Sequence, residues 1–442
     1  MSFENTEHKN WDANIDQPGQ TLSEQIFSQN AGRPLRAGEL VVISPDVAMG
    51  HDSLTPGIIK IMREELQIQN VFDPDQIVLV MDHVAPSSTV GTANAQATIR
   101  QFAKEQGIRL FDIGRGICHQ VLVEEQIATP GKVIIGSDSH STSYGAVCAF
   151  GTGMGSTDIA LCWGTGKAWF RVPETIKISC RGQFSTGVDA KDLALWLCRQ
   201  MTINGATYAA IEYHGLDWLP LNERQTISSM AIELGAKAGI FAPDSNGQNN
   251  AAIPDWLSVQ ADTNYGRTLE VDCSDLQPQV AVPHSVDHVV DLQDVAGQPI
   301  DVVFLGTCTN GRAEDIRRAA DIVAGKQLQS RMLVTPASSR ELQRSMEDGS
   351  LQKLIAAGAT ITTPGCGPCM GRHQGTLADN ERCLSTGNRN FRGRMGSPDS
   401  QIYLASPAVA AATALAGVIC DPRNIVEELG KNQPEVNEVT HV

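Results

Sequence analysis

Two glycine-rich turns carry the cysteines whose types and spacing could hold a metal. They are Gly306-Thr307-Cys308-Thr309-Asn310-Gly311-Arg312 and Gly365-Cys366-Gly367-Pro368-Cys369-Met370-Gly371. Each follows an apolar run, residues 301–305 and 359–363, that reads as a buried strand. Glycine lets a backbone approach a bulky group closely. One thiolate from the first turn and a C-x-x-C pair from the second could therefore converge. Three thiolates are one short of the four that normally hold an iron–sulfur cluster or a structural zinc. A metal left with an open position can bind substrate.

A second set of residues could move protons. Asp82 and His83 follow the apolar run 76–81, and Asp138, Ser139 and His140 follow the run 132–136. His51 and Asp52 lie in the connection after a first strand at 39–44, and His119 ends the stretch Arg115-Gly116-Ile117-Cys118-His119. Any one of these could simply cap a helix or close a turn. As a set they read better as acid–base histidines whose tautomer and charge are set by carboxylates. Glu233 falls in an expected helix over 228–239, either as a solvated residue or as a ligand-orienting carboxylate. The run Asn388-Arg389-Asn390-Phe391-Arg392-Gly393-Arg394 is either a solvated stretch or a bidentate clamp for a di- or tricarboxylate. The remaining cysteines are scattered singly and read as small buried hydrophobes.

The elements that must position these residues alternate between strand and helix, which argues for α/β architecture with largely parallel sheets. In such sheets chemistry gathers at the carboxyl ends of strands. A helix expected over 313–324 starts just after Cys308, so its N-terminal N–H groups could face an anion. We expect a flexible lead-in over 1–20, then α/β domains over 21–172, 173–284 and 285–430, and a flexible tail over 431–442. Residues 242–261 read as loop.

The chain has 442 residues and a formal net charge of -16. That charge argues against a broad nucleic-acid surface, which needs clustered Lys and Arg. No apolar run reaches the roughly 18–20 residues of a membrane span. The first twenty residues hold no apolar core of a secretion signal. A cytoplasmic location is expected, and with it no disulfide framework.

Taken together, five motifs resemble the aconitase superfamily of [4Fe-4S] hydro-lyases, over about residues 21–425. They are Met81-Asp82-His83, Gly136-Ser137-Asp138-Ser139-His140, the two cysteine turns, and the arginine run, in family order. The resemblance implies three α/β domains around a [4Fe-4S] cluster. It implies that Cys308, Cys366 and Cys369 hold three irons while the fourth has no protein thiolate and binds substrate. His83 with Asp82 matches the acid that protonates the departing hydroxyl. Asp138 with His140, and His119 with Glu233, match carboxylate–histidine pairs. Ser139, Arg389 and Arg394 match substrate-carboxylate contacts, and Asn388 an amide beside the cluster. His51 stands where aconitase proper has Gln. Ser229 departs from the family's usual Asn beside the cluster.

The chain stops where the family's swivelling fourth domain would begin, and that domain carries the catalytic base. The resemblance therefore implies a large subunit completed by a small one, as in the shorter, two-chain branch. It implies dehydration and rehydration of a hydroxy-dicarboxylate, with 2-isopropylmalate in leucine biosynthesis as the leading substrate. Homocitrate and methylmalate are the alternatives. A cluster-sensing RNA-binding regulator on the same fold would need a basic surface and would have lost the Asp–His pairs. A zinc-binding structural protein would need a fourth ligand, which the glycine-rich turns do not offer.

Overall fold

We describe a computed structural model of the chain, covering residues 18–243 and 252–425. The expected tail, most of the lead-in and part of the 242–261 loop lie outside the described residues. Strand β1 (Leu40–Ile43) precedes a five-stranded parallel sheet built from β2 (Val47–His51), β3 (Ile77–Val80), β4 (Arg109–Phe111), β5 (Val133–Gly136) and β6 (Phe150–Gly153). Its spatial order is β4-β3-β2-β5-β6. Strands β2, β3 and β5 are buried on both faces, as their apolar runs require. The run 39–44, expected beside them, instead pairs antiparallel with β7 (Ala168–Arg171) as a separate ribbon. Its alternating exposure explains the difference, since only every second side chain of β1 is buried.

A second parallel sheet, of order β10-β9-β8-β11, contains β8 (Thr175–Arg181), β9 (Ala210–His214), β10 (Ala238–Phe241) and β11 (Arg267–Asp272). The third sheet has seven strands: β12 (Gln279–Ala281), β13 (Val289–Asp291), β14 (Val302–Gly306), β15 (Arg331–Thr335), β16 (Thr360–Ile361), β17 (Arg382–Ser385) and β18 (Gln401–Leu404). Its order is β13-β12-β18-β17-β14-β15-β16; β12 runs antiparallel to both its neighbours, β13 and β18, and the other pairs are parallel. The third sheet thus takes in a strand from residue 279, ahead of residue 285. β12 pairs with β18 through Ala281 and Leu404, a contact across more than a hundred residues that local composition does not reveal.

Two further expectations change. The stretch 359–363 is no buried strand: β16 is a two-residue edge strand with partly exposed side chains. The helix expected over 228–239 does not exist as one element. A helix Leu221–Met230 tightens into a 3-10 turn, Ala231–Leu234, and Gly235 then adopts a left-handed φ of 83° that ends it. Glu233 sits in that turn, buried rather than solvated.

Candidate active site

The carboxyl ends of the first and third sheets face one another, and the turns beyond them supply most of the polar residues singled out above. Asp82 and His83 follow β3, Asp138 follows β5, and His51 is the last residue of β2. Cys308 lies in a single helical turn, Thr307–Asn310, directly after β14. The Cys366–Cys369 turn follows β16, and Asn388 follows β17. His83, His119, Asp138 and His140 line one pocket together with Cys308, Cys366, Cys369, Asn388, Arg389 and Arg394.

Hydrogen bonds fasten these turns to one another. Cys366 N–H donates to the carbonyl of Asp82 at 2.8 Å, so the C-x-x-C turn is tied to the Asp82-His83 turn. Gly367 has a φ of +60°, and a Cβ there would stand 2.6 Å from Thr335 Oγ1. Only glycine fits that position without strain. Asp52, expected only as a neighbour of His51, accepts the N–H groups of His83 at 2.8 Å and Val84 at 2.9 Å. It shapes the loop that presents His83. Its proximity to His51 was visible in the sequence, but its partners thirty residues away were not.

The acid–base groups form a chain of contacts. His83 Nδ1 lies 2.7 Å from Asp82 Oδ1, and its Nε2 lies 3.2 Å from Asp138 Oδ2. Asp82 Oδ2 accepts Cys118 N–H at 2.8 Å, which orients the carboxylate. The expected pair Asp138–His140 is present, with His140 Nδ1 3.4 Å from Asp138 Oδ1, but the expected His119–Glu233 pair is replaced. His119 Nε2 meets Asp138 Oδ1 at 2.8 Å, and Glu233 Oε1 meets His140 Nε2 at 2.8 Å. The reason is positional: the helix Cys118–Glu124 packs beside the 3-10 segment Ser139–Val147, while Glu233 approaches from the second unit on the far side of His140. Asp138 still touches His140, accepting its backbone N–H at 2.7 Å.

These contacts decide the charges. Burial alone would lower the pKa of His83, but Asp82 and Asp138 outweigh it and hold the imidazole well above its ordinary value. Burial opposes ionisation of Asp138 too, yet hydrogen bonds with His119, His140 and His83 hold its carboxyl well below the usual range. His51 stacks on His83 with ring centroids 4.0 Å apart. Burial and then the His83 charge push His51 down to about 4, so it stays neutral. Four side chains, His51, Asp52, Asp82 and His83, bring ligand atoms within 4.8 Å of one another. The carboxylates there are already engaged by backbone N–H groups and by His83, so this knot shapes the loop.

The three thiols sit among donors. Cys308 Sγ receives Asn388 Nδ2 at 3.2 Å and Ser229 Oγ at 3.5 Å. The serine thus supplies the one hydrogen bond that its departure from Asn left open. Arg394 donates to Cys369 Sγ at 3.2 Å. The bond from Cys366 and the Arg394 charge favour the Cys369 thiolate, and its pKa falls well below the thiol range. Burial pushes Cys308 up to about 11 in the absence of a metal. Arg389 is engaged on one side by Glu233, at 2.8 and 3.1 Å, and by Ser139 Oγ at 3.1 Å. Arg392 is exposed and lies outside the pocket lining.

Arg312 ends the first cysteine stretch, where residue type alone assigned it no role. It is buried and donates to the carbonyls of Cys308 and Thr309 at 2.7 Å each and to Gln120 Oε1 at 3.1 Å. Its place directly after the cysteine turn was the signal.

Comparison with known proteins fits this arrangement. Residues 24–417 match the Aconitase family (aconitate hydratase). The chain belongs to the aconitase family. A 3-isopropylmalate dehydratase large subunit from Herpetosiphon aurantiacus is 54% identical over 92% of this chain and 98% of its own length. A homoaconitase large subunit from Thermus thermophilus is 52% identical over 93% of this chain and 99% of its own. The solved holo-form of Thermococcus kodakaraensis aconitase X is 13% identical, covering 94% of this chain and 96% of that one with a TM-score of 0.49.

Membership makes this an iron–sulfur hydro-lyase of the aconitase family, and the pocket suits that group. Among the described residues the three cysteines do not form a knot compact enough for one ion, yet all three are buried and line one space. Arg394 Nε and His119 Nδ1 are buried there with no protein partner. A larger anionic group between thiols and donors answers each of these observations. No helix among the described residues is long and apolar enough to cross a membrane.

Proposed function

We propose that this chain is the cluster-bearing large subunit of a hydro-lyase that interconverts 2-isopropylmalate and 3-isopropylmalate by dehydration and rehydration, a step of leucine biosynthesis. The observation that carries the reading is His83, poised between two carboxylates in the pocket that also holds the three cysteines. When bound through Cys308, Cys366 and Cys369, a [4Fe-4S] cluster supplies a Lewis-acidic iron without a protein thiolate, which eases departure of hydroxide near neutral pH.

The remaining work falls to side chains of this chain. His83, held cationic, gives the proton on Nε2 to the departing hydroxyl, while Asp82 fixes the ring through Nδ1. Asp138 ties His83 and His119 into one hydrogen-bonded line. His140 and Glu233 form a second carboxylate–histidine pair on the opposite wall. Arg394, with its free Nε, and Arg389, steadied by Glu233 and Ser139, bind substrate carboxylate. Neutral His51 packs against His83 and keeps water from one face of the ring. Asn388 and Ser229 donate to the cysteine sulfur.

The base that removes the substrate proton comes, on this reading, from a small subunit, consistent with relatives named large subunits. Homocitrate is the second reading, favoured by the nearly equal identity to a homoaconitase large subunit. A methylmalate would need the same machinery and is distinguished only by the substrate's side group. A cytoplasmic location accords with a cofactor of this kind and with reduced cysteines.

The test is anaerobic reconstitution with iron and sulfide, addition of the small subunit, and a panel of hydroxy-dicarboxylates. Turnover is expected for isopropylmalate in the complex and for no substrate with the chain alone. Zinc at full occupancy with no visible cluster absorption would sink the iron–sulfur reading. Full turnover without a partner would refute the two-chain reading.

A further inference from the structure

Lys191 is one of the largest fully buried side chains of the protein, with 0% exposure, and the residues around it explain its position without explaining its charge. It opens the helix Ala190–Met201. The acidic neighbours on that helix are occupied elsewhere. Asp189 accepts Lys191's own backbone N–H at 2.8 Å and pairs with Arg318 at 2.7 Å. Asp192 accepts the N–H groups of Asp189 at 3.0 Å and Gln279 at 2.8 Å. Among the described residues, the ammonium of Lys191 meets no carboxylate. It donates to two backbone carbonyls, Thr386 at 2.8 Å and Gly387 at 2.5 Å. A buried charge satisfied only by neutral acceptors is costly unless an opposite charge stands nearby.

Those two carbonyls belong to the turn that presents Asn388 and Arg389. The Thr386 carbonyl also accepts Thr309 Oγ1 at 2.7 Å, so Lys191 joins the first cysteine turn to the 386–389 turn from behind. In a trans peptide the N–H points opposite the C=O. With the Gly387 carbonyl drawn toward Lys191, the N–H of Asn388 is turned away from it, and that N–H has no protein acceptor among the described residues. The next side chain contacts are Asn388 Nδ2 to Cys308 Sγ at 3.2 Å and Asn388 Oδ1 beside Cys369 Sγ at 3.7 Å. A Cβ added at Gly387 would itself stand 3.7 Å from Cys369 Sγ.

We propose that Lys191 is a positioning residue for the cluster: its buried ammonium is the counter-charge of the thiolate-bound group, and its two hydrogen bonds aim the Asn388 turn at the cysteine sulfurs. The inference rests on the cluster reading given above. The electrostatics agree, since burial drives Lys191 down to about 8 while the largest opposing influence is the charge of Cys308. A cluster reduced by one electron gains negative charge, so the ammonium favours the reduced form.

The experiment compares the reconstituted wild-type chain with Lys191→Met, which keeps an unbranched side chain of similar length and removes charge and donors. The midpoint of cluster reduction is followed by electron paramagnetic resonance in a redox titration. Iron retention after exposure to a chelator is measured alongside. At the wild-type midpoint the ratio of reduced to oxidised cluster should fall about tenfold in the variant, the scale of one unit charge removed from a partly screened interior. Iron loss should be faster. Should Lys191→Met fail to yield a folded apo chain, Lys191→Gln serves, since it removes the charge while keeping an N–H donor on a slightly shorter side chain. An unchanged midpoint with unchanged iron retention in a folded variant overturns the proposal. Absence of any cluster in the wild-type chain would overturn the reading it rests on instead.

Discussion

His83 Nε2 stands 3.2 Å from Asp138 Oδ2, and this single contact joins two turns that lie fifty-five positions apart in the chain. It gives the ring a carboxylate at each nitrogen, because Asp82 holds the other at 2.7 Å. A proton on Nε2 is therefore stabilised by Asp138, which lines the same pocket. Replacing His83 with Gln should lower dehydration about 100- to 10,000-fold, the usual range for losing a general acid. Cluster absorption should persist. The two are read together by alkene-product absorbance in the assembled enzyme and by the visible spectrum of the same sample.

The cysteines should separate from the fold. Cys366→Ser removes one thiolate from a pocket whose backbone is held by the Cys366 N–H bond to Asp82, a bond the serine keeps. Visible cluster absorption and iron content should collapse after reconstitution. The unfolding free energy of the apo chain, from urea titration, should change by no more than about 1 kcal/mol, as for a typical single substitution. Retention of a full iron complement would remove Cys366 from the ligand set.

Gly367→Ala tests the geometry of the same turn. Its φ of +60° disfavours any side chain, and the added Cβ would meet Thr335 Oγ1 at 2.6 Å. Left-handed backbone alone costs about 1–2 kcal/mol for a residue with a Cβ. The variant should unfold at lower urea in the apo form and hold less iron after reconstitution. A variant with wild-type values in both would show that the turn relaxes freely.

The pH dependence of apo stability should carry the signature of His83. Its folded pKa is raised above the ordinary 6.5, because Asp82 and Asp138 outweigh burial. The stabilisation from its pairs is thus complete below 6.5 and is lost as pH rises through the folded value. Asp138 runs the other way. Its folded pKa lies below the ordinary 3.8, so its stabilisation is complete above 3.8 and is lost as pH falls through the folded value. The stability gap between wild type and His83→Gln should therefore narrow as pH climbs from 6.5. Urea midpoints across that range would measure it, and a gap that widens with pH would contradict the assigned charge.

Much of the site could be read from the chain because strand-end turns keep their residues together. Asp82 with His83, Asp138 with His140, and Cys366 with Cys369 are local groups, and the apolar runs before them mark the strands that deliver them. Glu233 was placed in the right neighbourhood on the wrong element, since a helix that tightens and stops at a left-handed glycine looks periodic in sequence. Lys191 carried no local mark of function, and Arg312 and Asp52 lay beside the motifs without showing which distant groups they would meet. A lysine in the first turn of a helix, or an arginine just before one, reads as solvated until its partners are known.

By itself the sequence determined that three thiolates and a set of Asp–His turns belong to one α/β chain, because residue type and glycine content act over a few positions. Only the tertiary structure decided which carboxylate meets which histidine, since His119 and Glu233 approach from different units and their partners depend on packing. It also decided that the third sheet recruits a strand from residue 279 and that a buried lysine stands behind the Asn388 turn. Those are contacts between segments distant in the chain, selected by burial and hydrogen-bond satisfaction across the whole core.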